Sequence, residues 1–256
     1  VTGGRLELQG LRKSFGGVVA TDDVTLTFEP GTLSAIIGPN GAGKTTLFHL
    51  VTGKLPPSAG RVLLDGEDIT GLDRQAIVRK GIGRAFQVAN LFPSFTVAES
   101  LAAAIMTHEG RTARLFSAFP PRDIARRAEE VMELCGLSPL ARRPARHLSH
   151  GDQKLLDVAM ALALDPKVLL LDEPTAGMGP EERWRMIERV YRLWQAKGLT
   201  LVFIEHDMDI VFRIAESVRV LRYGAVLAEG TPEEVRRNPA VIEAYLGAEH
   251  ALEEAP

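Results

Sequence analysis

Apolar and polar positions alternate along RLELQGLRKSF and VVATDDVTLTFE, as they do in half-buried antiparallel strands. The texture changes at LSAII (33–37), an unbroken apolar strand followed at once by GPNGAGKTTLFHLVTG, a glycine-rich turn entering a helix. GRVLLDGEDI reads as a further strand, and residues 73–81 as a short helix. From about Thr96 to Leu164 the apolar spacing is helical: Ile124, Ala128, Val131, Met132 and Cys135 share one face, and Leu155, Val158, Ala159 and Leu162 another. After Pro166 the strands return as VLLL (168–171) and TLVFI (200–204), separated by a helix over 180–197. Trp184, Ile187, Tyr191 and Trp194 line one side of that helix and are expected in the core. VRVLRYGAVLAEG reads as a hairpin around Gly224, and short helices follow Pro232 and Pro239. The pattern predicts an α/β fold in which residues 1–95 and 165–256 form a core with an antiparallel β part. Residues 96–164 form an inserted helical subdomain.

The 256 residues suit one large α/β domain or two closely packed subdomains. A formal net charge of -3 gives no global basic field of the kind nucleic acid attracts, so no nucleic-acid partner is expected. The arginine-rich stretches PRDIARRAEE and ARRPARH read as solvated helix faces. Cys135 is the single cysteine and sits on an apolar helical face, so it is expected to be an inert core thiol in a reducing compartment. No apolar run approaches the roughly 18 residues that span a bilayer, and VTGGRLELQG does not read as a secretory signal. Work at a membrane therefore calls for a partner. AEHALEEAP is expected to be a frayed polar tail.

Two elements carry chemistry. GPNGAGKTT (38–46) satisfies G-x-x-x-x-G-K-[ST], with an apolar strand before it and a helix after it. Its glycines let backbone N–H groups point at phosphate oxygens, Lys44 supplies a cation for the β- and γ-phosphates, and Thr45 offers a hydroxyl to Mg²⁺. VLLLDE (168–173) places Asp172 and Glu173 side by side at a strand end, where two acids are costly without a cation. Asp172 can hold Mg²⁺ through water, and Glu173 can polarise or deprotonate an attacking water.

These motifs, with LSHGD (148–152) between the helical block and the acid pair, resemble those of the ATP-binding-cassette ATPases along nearly the whole chain. The resemblance implies a phosphate-loop NTPase core whose cofactors are ATP and Mg²⁺. It implies phosphate contacts from Gly38, Asn40, Gly41, Ala42, Gly43, Lys44, Thr45 and Thr46. LSHGD stands where the family has LSGGQ, so Ser149 and Gly151 are expected at the γ-phosphate of ATP held by an opposite protomer, and Asp152 as an acceptor from that nucleotide's ribose hydroxyls. Without the resemblance, the same stretch reads as a helix N-cap. Phe15, in KSFGG, corresponds to an aromatic that stacks on adenine, although its residue type alone favours the core. Gln87, in RAFQ, corresponds to a glutamine that senses Mg²⁺ and water, and His206 to a histidine that contacts the γ-phosphate. Three departures stand out. His150 replaces one of the two signature glycines, Asp152 replaces the glutamine, and Gly179 replaces an aspartate that couples the two sites of the family's dimers. His49, His108, His147 and His250 show no metal-ligand spacing.

More narrowly, NLFPSFTVAESL, the insert through 107–121 and the stretch from HDMDIVF to AYLG resemble ATPases of branched-chain amino-acid importers. Such a chain is peripheral at the cytoplasmic face of the inner membrane. It pairs with a second cassette and with separate permeases, and indirectly with a solute-binding protein. Relatives serving urea, short amides or aromatic acids share this texture, and a lipopolysaccharide-export ATPase shares the ending. A soluble cassette acting on DNA or ribosomes, and a nucleotide kinase, remain as alternatives of other classes. The missing coiled-coil insertion weighs against the first, and the signature with its acid pair against the second.

Overall fold

The computed structural model describes residues 3–85, 92–111 and 120–245, so Gln87, most of the insert and Gly247 of AYLG lie outside the described residues. The chain opens with β1 (Leu6–Phe15), β2 (Val18–Phe28) and β3 (Leu33–Ile37), then α1 (Lys44–Val51), β4 (Ala59–Leu64), β5 (Glu67–Asp68), α2 (Arg74–Lys80) and β6 (Ile82–Ala85). Three helices follow, α3 (Val97–His108), α4 (Arg122–Cys135) and α5 (His150–Leu162). The chain then forms β7 (Val168–Asp172), α6 (Pro180–Lys197), β8 (Thr200–Ile204), α7 (Met208–Ile214), β9 (Ser217–Arg222), β10 (Ala225–Gly230) and α8 (Pro232–Arg237).

The strands form two sheets. An antiparallel one runs β2-β1-β4-β5, and a six-stranded one runs β10-β9-β3-β8-β7-β6. In the second, β9, β3, β8, β7 and β6 are mutually parallel and β10 is an antiparallel edge. Successive side chains on a strand point to opposite faces. Leu33, Ala35 and Ile37 of β3, Leu169 and Leu171 of β7, and Leu201 and Phe203 of β8 therefore enter one core together with α3, α4, α5 and α6. Their neighbours Ile36, Val168, Leu170, Val202 and Ile204 enter another, under α1 and the antiparallel sheet. Burial on both faces is why these strands read as unbroken apolar runs.

Local signals set the helix starts. Thr96 and Glu99 close a capping box on α3, Thr231 and Glu234 do so on α8, and Ser149 caps α5. The arginines of α4 are held as well as solvated. Arg127 pairs with Glu109 and Asp165, and Arg111 with Asp123, fastening the ends of α3 and α4. Cys135 is buried, and burial pushes its thiol up to about 12, as an inert core thiol requires. No helix among the described residues is long and apolar enough to cross a membrane.

Two readings of the pattern need correction, and one strand escapes it. GRVLLDGEDI is a hairpin, not one strand, because Asp65 and Gly66 turn the chain at positive φ. IGRA, over 82–85, is the strand β6, whose glycine and arginine hide its period. The buried face of α6 is Met186, Ile187, Val190 and Leu193, so Trp184 is 38% exposed and lies under the Arg213 guanidinium. Trp194 is partly buried and spends its indole N–H on the Gly31 carbonyl.

Candidate active site

The functional side chains gather where open α/β sheets place ligands, at the carboxyl ends of their parallel strands. β3 runs into the phosphate loop, β7 into Asp172 and Glu173, and β8 into Glu205 and His206. The loop curls because Gly43, at φ 98, forms the cap of α1. A Cβ there would lie 2.4 Å from the Ala20 carbonyl oxygen, so only glycine lets β2 approach so closely. The β9–β10 hairpin buttresses the loop from its other side, with Gly224 N–H donating to the Ala42 carbonyl at 3.1 Å. The Tyr245 hydroxyl is buried beside the Gly38 backbone without making a hydrogen bond of ordinary geometry, and burial raises its pKa to about 12.

Lys44 is buried and donates to the carbonyls of Gly38 at 2.6 Å and Pro39 at 3.0 Å. Burial lowers its pKa, and the nearby Glu173 and Asp172 carboxylates pull it back up. Asn40, Gly41 and Thr45 are exposed on the loop, Gly43 and Thr46 are half-buried, and Ala42 is buried. Phe15 is 46% exposed at the end of β1, beneath the Lys13 ammonium, so it is free to stack and does not belong to the core.

Asp172 is buried, with Oδ2 accepting from Arg84 Nη2 at 2.6 Å. Its Oδ1 is buried with no hydrogen-bond partner. A buried carboxylate oxygen of this kind, left without a donor at the strand end, fits a hard cation such as Mg²⁺. Glu173 sits at φ 50, a conformation that costs a non-glycine residue about 1 kcal/mol or more. Neighbours hold it there. Its N–H donates to the Ile204 carbonyl at 3.0 Å, and its own carbonyl accepts from Lys154 Nζ at 2.9 Å. His206 Nε2 lies 2.7 Å from Glu173 Oε1, and because an ionised carboxylate only accepts, that nitrogen carries the proton. Behind them Glu205 is buried and accepts from Thr175 N–H at 3.0 Å and from Thr175 Oγ1–H at 2.5 Å, which fixes the chain after the acid pair.

Ser149, Gly151 and Asp152 lie together at the start of α5, in a small cleft of about 160 Å³ completed by Glu182, Arg185 and Arg189. Ser149 Oγ donates to Asp152 Oδ2 at 2.8 Å and accepts from Asp152 N–H at 3.1 Å. A Cβ on Gly151 would meet Glu182 Oε1 at 2.2 Å, so any other residue there would have to turn the Glu182 side chain aside. Gly179 caps α6 at φ −69, and a Cβ there would meet nothing within 4 Å. Gly179→Asp is therefore expected to fold normally and to gain a few tenths of a kcal/mol as a side-chain cap. Thermal denaturation checks this: a midpoint lowered by more than about 2 °C would mean strain that the open surroundings do not account for.

Sequence reasoning missed Arg84, Lys154, Glu205 and Thr175. For Lys154 a signal existed. It falls in the buried stripe Gly151, Lys154, Leu155, Val158, where a charge needs a partner.

A family model described as "ABC transporter" matches residues 21–176, and one described as "Branched-chain amino acid ATP-binding cassette transporter" matches residues 225–251. The chain is 40% identical over 250 residues to the high-affinity branched-chain amino acid transport ATP-binding protein LivG of Escherichia coli K12, covering 94% of this chain and 97% of that protein. The ADP conformation of the ATP-binding cassette MJ1267 superposes with a TM-score of 0.83 at 33% identity, over 95% of this chain and 99% of that one. MJ0796, solved as a dimer in a post-hydrolysis state with ADP and Pi, gives a TM-score of 0.75 at 25% identity, over 89% and 98%.

Proposed function

Because the chain belongs to the ATP-binding-cassette transporter family, as an ATP-hydrolysing cassette, we propose that it energises uptake of branched-chain amino acids or a related small polar solute. The observation that carries the import reading is the match of residues 225–251 to the branched-chain cassette model, together with likeness to LivG over nearly the full length of both chains. Cassettes of this family work in pairs with membrane permeases. Here the second cassette is a copy or a paralogue, the permeases are separate chains, a solute-binding protein delivers the cargo, and the chain sits peripherally at the cytoplasmic membrane face.

The chemistry follows from the residues. ATP enters with adenine against Phe15 and its phosphates in the loop 38–46. Lys44 exchanges the Gly38 and Pro39 carbonyls for β- and γ-phosphate oxygens, an exchange that gives an ammonium disfavoured by burial an anionic partner in place of two neutral ones. Thr45, Asp172 and Gln87 would hold Mg²⁺, which supplies charge neutralisation on the phosphates. Glu173 orients the attacking water and takes its proton, while His206, bonded to Glu173, contacts the γ-phosphate. Two cassettes close head-to-tail so that Ser149 and Gly151 of one reach the γ-phosphate held by the other. Asp152 accepts from Ser149 until closure releases that hydroxyl. In this scheme residues 96–164 act as the subdomain that follows the permease. Between α2, α3 and α5 a groove of about 400 Å³, lined by Arg74, Ile77, Val78 and Met160 among others, offers the permease a docking surface.

The test is to purify a tagged Glu173→Gln form from native membranes in ATP and identify its companions by mass spectrometry. Two polytopic permeases and a cassette are expected. Recovery with ribosomal or DNA-repair proteins and no membrane subunit would overturn the transport reading.

A further inference from the structure

We propose that Lys154 is a positioning residue that links the signature turn at one end of α5 to the backbone of Glu173 in the same subunit. The link joins the two nucleotide sites of a cassette pair, and so it rests on the two-cassette reading above.

Helix α5 begins at its cap, Ser149, and Lys154 follows five residues on, about 7.5 Å along the axis at ~1.5 Å per residue. A helix segment that short moves as a rigid rod. Lys154 is 4% exposed, and its ammonium donates to the Glu173 carbonyl at 2.9 Å. A buried ammonium away from water is costly, so this contact is not an incidental one on a solvated face. The charges facing it come from three elements. Glu205 follows β8, Glu173 and Asp172 end β7, and Asp157 lies on α5 itself; together they oppose the effect of burial on its pKa.

Glu173 needs such a hold. At φ 50 it occupies a conformation that a glutamate leaves unless its surroundings fix it. Its N–H is fixed from β8 through Ile204, and its carbonyl accepts both from Ala176 N–H at 3.2 Å, within the following turn, and from Lys154, the hold that reaches it from α5. A shift of the signature turn on meeting a partner's phosphate is thus carried by α5 to the peptide that aims the Glu173 carboxylate. Gly179 presents no side chain for communication across the pair. Lys154 supplies an alternative connection that runs within one subunit.

Lys154→Met, Lys154→Gln and Lys154→Arg in the full chain test this by steady-state hydrolysis of Mg-ATP, ATP titration and thermal denaturation. Lys154→Met is expected to lower kcat by about 10- to 100-fold, the cost of misaiming a reacting group by an ångström or less, with KM within about twofold of the parent. Lys154→Arg, which keeps a buried cationic donor, is expected to recover most of the rate. Lys154→Gln covers the case in which the methionine form does not fold, with the same loss of kcat at unchanged KM. In a Glu173→Gln background, Lys154→Met is expected to leave ATP-driven dimerisation intact, because Ser149 and Gly151 are untouched. Parental kcat in the methionine or glutamine form, or a loss of rate matched by a loss of ATP affinity, would overturn the proposal. A Glu173→Gln form that stays monomeric in ATP overturns the pairing itself, a result separable from any effect on kcat.

Discussion

Glu173→Gln is expected to lower ATP turnover by about 10²- to 10⁴-fold while leaving ATP affinity within a few fold, the range that general-base catalysis supplies. The substitution isolates the chemistry. Glutamine has nearly the same size and meets the same φ of 50, so the backbone strain is unchanged. Its amide can still bond His206, which stands 2.7 Å from Oε1 in the parent. What is lost is the ability to accept a proton from water, so an amide at that position binds nucleotide and stalls. Phosphate release in single- and multiple-turnover experiments, alongside ATP titration, reads the two quantities separately. Turnover near the parental rate would remove Glu173 from the role of base and leave it a strand-end cap.

The largest effect on stability is expected from Arg84→Met, a loss of about 3–5 kcal/mol, because breaking a buried ion pair from one side leaves the other charge uncompensated. Arg84 and Asp172 have side chains 6% and 2% exposed and are bonded at 2.6 Å, deep between β6 and β7. Burial alone lowers the pKa of the guanidinium, and Asp172 raises it back, which is the signature of mutual dependence. The methionine also forfeits the guanidinium's position over the Phe48 ring. In a chain of this length the midpoint should fall by roughly 10 °C, measurable by calorimetry or circular dichroism. The double variant Arg84→Met with Asp172→Leu should recover much of that loss, since a hydrophobic pair of similar volume often replaces a buried ion pair without penalty. An unchanged midpoint in the single variant would mean that water or another cation already satisfies Asp172.

These two residues also show where the sequence was legible. Glu173 could be found because its strand is a run of aliphatic residues ending in adjacent acids, a local pattern with one economical chemical reading. The phosphate loop was legible for the same reason: its glycines, lysine and threonine are contiguous. Arg84 was opaque, because its partner lies 88 positions away and its own strand, IGRA, carries no period. Lys154 was half-legible, a charge inside an apolar stripe whose partner is a main-chain carbonyl and therefore leaves no trace in residue types. The aromatic side of α6 misled because Trp and Tyr serve surfaces as readily as cores, and Arg213 gives Trp184 a partner in the open. The roles of the signature turn and of His206 came from family likeness, since a capped helix start and a strand-end histidine have many ordinary uses.

The parallel sheet that divides the two cores also gives each strand two separate sets of packing neighbours. Residues such as Leu169 and Leu171 face the core shared with α3, α4, α5 and α6, while their neighbours Val168 and Leu170 face the helix that carries the phosphate loop. A repacking on the first side reaches the second through the strands themselves and through the Lys154 bond to the Glu173 carbonyl. The sheet thus works as a shared wall, with each room furnished separately and the frame common to both.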